Sequence, residues 1–262
     1  MSEPPFRFED GGVYERTMGV WSRLAGEVFL QWLAPPAGLR WIDVGCGNGA
    51  FTEALMQRCA PAEVQGLDPS PQQIAFARTR EGARGAVFTE GNAQALPFPA
   101  DRFDAAVMAL VLFFVPDPAK GVSEMVRVVR PGGLVAAYVW DMFGGGFPFH
   151  PIREELRAAG FPPPMPPSAE VSRPDALHAA WRAGGLEAID VRDITVQRSF
   201  PDFDAFWSTT TQSVSIASVL SKLTPEDTAA VKERLRARLP ADATGRVVCS
   251  GRANAIQGRV PG

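Results

Sequence analysis

The chain has 262 residues, 46% of them hydrophobic, with a formal net charge of −3 and a pI of about 5.5. This supports a substantial core and excludes a basic nucleic-acid-binding surface, since no basic patch is visible. Three cysteines, Cys46, Cys59 and Cys249, have neither metal-ligand spacing nor a disulfide framework, so no metal is expected and a reducing, cytoplasmic compartment fits. The opening MSEPPFRFEDGG is polar and acidic, unlike a signal peptide. The longest apolar run, 105–115, is too short to span a bilayer.

In chain order, residues 1–12 read as disordered or loosely docked. Over 13–34, Tyr14, Met18, Trp21, Leu24, Ala25, Val28 and Trp32 recur at helical steps, and Pro35-Pro36 ends the helix. Strands and helices then alternate: strand 40–44, helix 50–59, strand 63–67, helix 70–80, strands 86–89 and 103–110, helix 117–128 and strand 133–140. Short buried strands separated by helices predict an α/β fold with a parallel, doubly wound sheet. Its ligand belongs outside the strand C-termini, near the switch point. Past Asp141, Gly144-Gly145-Gly146 and Pro162-Pro163-Pro164 mark 141–167 as a mobile insertion with one short helix over 152–159. Helix 174–184, strand 186–198, helices 202–221 and 225–238 and strand 246–260 follow.

The first strand, Trp41-Ile42-Asp43-Val44, runs straight into Gly45-Cys46-Gly47-Asn48-Gly49, and a helix starts at once. Glycines let the chain turn sharply and let a ligand reach bare backbone. The helix start adds unpaired N–H groups and a positive dipole end. These are the parts of a nucleotide-type cofactor loop. Gly45-x-Gly47-x-x-Ala50 also fits the dinucleotide fingerprint. Asp43 argues against NAD, because a carboxylate near the turn repels a pyrophosphate and attracts an ammonium group. Gly49 opens the loop for a bulky ligand without a diphosphate. Asp68 ends the second strand about 20 residues on, the spacing at which an acid reaches a ribose diol. In Asp68-Pro69-Ser70-Pro71, Asp68 or Ser70 equally suits a helix N-cap.

IDVGCGNGAFT (42–52), VQGLDPS (64–70), GNAQALPFPADRFDAAV (91–107) and the Arg130-Pro131-Gly132-Gly133 turn occur in this order. Together they resemble the class I S-adenosylmethionine (SAM) dependent methyltransferases, in the small-molecule and quinone-type branch with a type 11 methyltransferase domain. The resemblance spans residues 14–140. It implies a Rossmann-like, doubly wound, seven-stranded sheet, mostly parallel with an antiparallel edge strand and helices on both faces. It implies SAM as cofactor and S-adenosylhomocysteine as product, with Asp43, Gly45, Gly47, Asp68, Pro69 and Ala109 at the cofactor. Asn92 stands where the family usually has Asp at the adenine amino group, and its amide oxygen still accepts that bond. Ala93 would offer a backbone N–H to the ring. Tyr14 and Arg23 fall on a helix that covers SAM in relatives, where their polar ends would hold the methionine carboxylate. A packed Tyr and a solvated Arg are the plain alternative.

The acceptor side is less legible. Phe113 and Phe114 replace a pair of histidines common in relatives, so they make the wall apolar or pack in the core. Trp140 ends the fifth strand, Phe143, Phe147 and Phe149 lie in the insertion, and Phe203, Phe206 and Trp207 lie on a later helix. Such a mouth suits a planar or apolar small molecule, although helix packing accounts equally for Phe203 and Phe206. His150 is a candidate base, whereas His178, near Trp181, reads as structural. Methyl transfer can proceed by in-line positioning without a base. The reading is one domain over 1–262: a SAM-binding core over 13–140, a lid-like insertion over 141–170, and a segment over 171–262 that completes the sheet and the acceptor site. The protein would be a monomer or homodimer that methylates a small-molecule acceptor. A SAM-binding sensor or partner subunit without transfer activity, and an NAD-type oxidoreductase, are the rivals.

Overall fold

The computed structural model describes residues 15–262, so the readings for 1–12 and for Tyr14 lie outside the described residues. Seven strands form one sheet in the order β3-β2-β1-β4-β5-β7-β6. They are β1 Arg40–Val44, β2 Glu63–Asp68, β3 Val87–Glu90, β4 Phe103–Ala109, β5 Val129–Trp140, β6 Glu187–Phe200 and β7 Val247–Arg259. Strands β1 to β5 pair in parallel, and β7 runs antiparallel to both β5 and β6. The helices are α1 Val20–Leu33, α2 Ala50–Cys59, α3 Pro71–Ala77, α4 Pro118–Val128, α5 His150–Ala158, α6 Pro174–Ala183, α7 Phe203–Thr210, α8 Val214–Leu220 and α9 Pro225–Arg238.

Burial along the strands follows from position in the sheet. Residues 134–140 of β5 are buried without interruption, as in a strand covered on both faces. Edge strand β6 instead carries Asp190, Arg192 and Asp193 in its exposed or half-buried stretch and turns Ile194 and Val196 inward. Charge on such an edge discourages pairing with other chains. At the starts of the central strands, Asp104 of β4 joins Arg40 of β1 to Arg130 of β5. Those guanidiniums hold its carboxyl well below the usual carboxylate range.

Some boundaries differ from the sequence reading. The first helix enters through a wider turn, Glu15–Gly19, before α1. The single helix expected over 202–221 is two, because Ser213 adopts an extended conformation between α7 and α8. Strand β5 begins at Val129, earlier than expected, and backbone bonds from Gly132 to Val260 and from Val260 to Gly133 fasten its start to the chain end. Ser70 caps α3, accepting from the Gln73 N–H at 3.3 Å with Pro71 in the first turn. Asp68 is therefore not the cap.

The 141–167 insertion is seated on β7. Asp141 is buried, accepts from the Gly144 N–H at 2.7 Å and pairs with Arg252 at 2.5 Å. The Arg252 N–H donates back to the Gly146 carbonyl at 2.7 Å. Phe149, Ile152 and Leu156 enter the core, and Glu155 of α5 pairs with Arg234 and Arg238 of α9.

Candidate active site

The parallel sheet switches direction between β1 and β4, which opens a crevice at their C-terminal ends. The glycine loop fills the β1 side. Gly45 and Gly47 both take left-handed backbone, with φ of 77° and 51°, a conformation costly for other residues. The Gly45 and Cys46 N–H groups donate to the Leu67 carbonyl at 2.6 and 3.0 Å, drawing the loop toward β2. Asp68 completes the attachment: its Oδ2 accepts from the Gly47 N–H and its Oδ1 from the Ser70 N–H, each at 2.9 Å. Burial raises the Asp68 pKa against the pull of those two bonds.

An ionic cluster ties the chain before α1 to the same loop. The Asn48 amide donates to Glu15 at 2.9 Å. Arg80 donates to the Asn48 carbonyl at 2.6 Å, pairs with Glu53 at 2.7 Å and also meets Glu15. The N-terminal helix thus reaches the cofactor loop through Glu15, a contact that the α1 periodicity did not signal.

Asp43 lies fully buried beneath the loop. Its Oδ2 accepts from the Thr52 hydroxyl at 2.6 Å, whereas Oδ1 has no hydrogen-bond partner among the described residues. Burial pushes its pKa up from 3.8 to about 7, the Thr52 bond opposes this, and the Asp68 charge adds to it. Because the folded state holds the proton more tightly, the contribution of Asp43 to stability is full below the unfolded pKa and is lost as pH rises through about 7. The Asp43→Asn variant should lose that slope. Urea midpoints measured between about pH 5 and about pH 8 should decline in the wild type and stay flatter in the variant; parallel declines would assign the slope to other groups.

One cavity of about 1320 Å³ runs from this loop into the C-terminal half. That exceeds the roughly 300–1,000 Å³ of an ordinary small-molecule site and leaves room for a cofactor and a second molecule. Its wall includes Asp43, Gly45, Gly47, Asp68, Pro69, Asn92, Ala93 and Ala109 from the expected cofactor side. It also includes Phe113, Phe114, Trp140 and Phe147 from the expected acceptor side, with Phe113 and Phe114 edge to face at 4.6 Å.

Other expected residues are elsewhere. Arg23 is exposed on α1 and does not line the cavity; Thr17, Met18 and Ser22 do. His150 begins α5 beside Gly145, outside the cavity wall, and burial lowers its pKa. Trp207 also lies outside it, stacked at 6.5 Å on Phe203 and facing Lys232. Phe203 and Phe206 pack together and against Phe200, the helix-packing alternative. Sequence reasoning missed Phe51, Tyr138, Met142 and Arg153, the loop 164–167 and the segment 213–215. The proline-rich loop gave no periodic signal to follow.

The wall suits SAM. A Cβ built on Gly47 meets nothing within 4 Å, so bare backbone faces open cavity. Each Asp68 oxygen holds one backbone donor and keeps acceptor capacity for a diol. The unpartnered Asp43 oxygen offers a buried acceptor beneath the same loop.

The family described as "Methyltransferase domain" matches residues 42–137. A 2-methyl-6-phytyl-1,4-hydroquinone methyltransferase of Oryza sativa is 44% identical over 96 residues, 37% of this chain and 28% of that protein. A fatty-acid O-methyltransferase of Mycolicibacterium smegmatis is 38% identical over 96 residues, 37% of this chain and 35% of that protein. The aligned stretch thus spans well under half the length of these relatives. Among solved structures, phosphoethanolamine N-methyltransferase 2 of Haemonchus contortus, in complex with SAM, matches with a TM-score of 0.56 and 15% identity over 100% of this chain and 61% of that one. The [4+2]-cyclase SpnF matches with a TM-score of 0.54 and 20% identity over 92% of this chain and 81% of that one. These two likenesses concern the fold. Residues 42–137 thus resemble a methyltransferase domain, and they carry the strand ends and the glycine loop of the crevice described above.

Proposed function

We propose that this chain transfers a methyl group from SAM to a small-molecule acceptor by direct in-line displacement. The observation that carries the reading is continuity. A single cavity joins the Asp43–Gly47–Asp68 cradle to an apolar chamber walled by Phe113, Phe114, Trp140 and Phe147. When bound, SAM supplies an electrophilic methyl group on a sulfonium. Asp68 would take the ribose hydroxyls. Asn92, whose Oδ1 already accepts from the Gln94 N–H at 2.9 Å, would accept from the adenine amino group with its remaining capacity. The aromatic walls exclude water and fix the acceptor's approach. Neither His150 nor His178 lines the chamber, which favours positioning over general-base catalysis.

The named relatives act on a hydroquinone and on fatty acids, which supports an apolar acceptor here. We read the chain as one domain: the core over 13–140 holds the cofactor, while 141–170 and 171–262 wall the acceptor. Cys46, Cys59 and Cys249 are buried and unpaired, in keeping with our cytoplasmic reading. No described helix is long and apolar enough to cross a membrane. We read the protein as a monomer or homodimer with no nucleic-acid partner.

Calorimetry with SAM, S-adenosylhomocysteine and NAD tests the first half of the proposal. The first two should bind and NAD should not; tight NAD binding without SAM binding overturns it. A screen of apolar acceptors for S-adenosylhomocysteine release tests the second half. SAM binding with no product from any acceptor would favour a binding protein without transfer activity.

A further inference from the structure

Charge in the cavity wall is unevenly placed. Among the described residues, its charged members are Asp43, Asp68 and Arg153. The two carboxylates belong to the cofactor cradle. Arg153 lies on α5, with its guanidinium carbon 5.7 Å from the Phe147 ring centre.

The arginine is 5% exposed and has no carboxylate within ion-pair distance among the described residues. The acids nearby in the chain are engaged elsewhere: Glu154 pairs with Arg157, Glu155 with Arg234 and Arg238, and Asp141 with Arg252. All the side-chain hydrogen bonds of Arg153 leave from one nitrogen. Nη2 donates to the Pro163 carbonyl at 3.1 Å, the Pro164 carbonyl at 3.0 Å and the Met165 sulfur at 3.2 Å. Nε and Nη1 have no partner among the described residues.

Burying an uncompensated cation is expensive. Burial pushes the pKa of Arg153 down to about 10, with the Arg157 charge adding to the effect and Glu154 opposing it. Holding two proline carbonyls requires only a neutral donor. The positive charge and the unused donors therefore need another explanation, and an anion entering the chamber supplies one: charge-assisted bonds from arginine to a carboxylate are among the stronger polar contacts available to a protein. Phe113, Phe114, Trp140 and Pro164 make the chamber wall largely apolar, and Gln212, Ser213 and Ser215 add uncharged polar groups to it.

We propose that Arg153 is the anion-recognition residue of the acceptor chamber, and that the acceptor is an apolar small molecule bearing a carboxylate. This rests on the methyl-transfer reading of the cavity and narrows its substrate class.

The test titrates protein saturated with S-adenosylhomocysteine with decanoate and 2-naphthoate, and with decanol and 2-naphthol as their uncharged counterparts. At least one acid should bind about tenfold or more tightly than its matching alcohol. R153Q should lose about tenfold or more of that acid affinity and keep alcohol affinity within about twofold. R153K, which keeps a cation, should fall between them. A merely structural arginine would lower acid and alcohol binding together. Equal binding of acid and alcohol, no binding of either acid, or unchanged acid binding in a folded R153Q would each overturn the proposal. If R153Q does not fold, the wild-type acid–alcohol comparison decides. Failure of S-adenosylhomocysteine itself to bind would strike the methyl-transfer reading, whereas its binding without acid preference would strike only this inference.

Discussion

Replacing Gly45 with valine is expected to unmake the cofactor loop. A Cβ at that position would lie 2.4 and 2.6 Å from the Val111 methyl carbons, far inside contact distance. The backbone φ of 77° adds strain that a branched residue bears poorly. Left-handed strain of about 1–2 kcal/mol and overpacking of about 1–3 kcal/mol give an expected loss of roughly 2–5 kcal/mol. Urea denaturation measures it directly. Gly47→Ala is the informative contrast: it has φ 51° but nothing within 4 Å of an added Cβ. It should cost only about 1–2 kcal/mol of stability while placing a methyl group in the cofactor's space, so that SAM affinity falls far more than stability. Equal stability losses in the two variants would mean that the Val111 contact is easily relieved. Full SAM affinity in Gly47→Ala would move the cofactor away from this turn.

Asp68→Ala should weaken SAM binding by roughly 1–3 kcal/mol, about 5- to 150-fold, the usual cost of losing hydrogen bonds to a charged group. The structure adds a second effect. The carboxylate also holds the Gly47 and Ser70 N–H groups, so a smaller fall in stability, about 1–2 kcal/mol, should accompany the loss of affinity. Calorimetry paired with thermal denaturation separates the two. A destabilised variant with wild-type affinity would make Asp68 a scaffold for the loop and not a ligand to the ribose.

The cofactor half of the cavity was readable because its requirements are local. A strand end, a turn in left-handed backbone and a helix start must be consecutive, so Asp43 to Ala50 announce themselves in a single run. Asp68 and Asn92 follow because the first ends β2 and the second lies just past the end of β3 in the same sheet, and strand ends were readable from apolar runs. The order β3-β2-β1-β4-β5 then brings those ends to one crevice. The acceptor half has no such logic. Phe147 and Trp207 look equivalent in sequence, both aromatic beyond the core, yet the first lines the cavity and the second stacks on Phe203. Arg23 and Ser22 are adjacent, and helical geometry sends the first to solvent and the second to the cavity. The Gly144-Gly145-Gly146 run helped to mark the insertion in the sequence. In the structure it wraps the Asp141–Arg252 pair, a partnership across 111 positions that no local pattern reveals.

By itself, then, the amino-acid order determined the sheet class, the cofactor loop and the acids at its strand ends, because backbone conformation and strand periodicity are properties of neighbouring residues. Tertiary structure alone decided the shape and charge of the acceptor chamber. Its wall is gathered from 113–116, 138–142, 147–153, 164–167 and 212–217, and which face of each segment points inward depends on how helices pack against a completed sheet. Arg153 shows the difference most clearly. In sequence it is one arginine on a helix rich in charge; in the fold it is a buried cation with unused donors, because Glu154 pairs with Arg157 of the same helix while Glu155 and Asp141 pair with arginines brought in from α9 and β7.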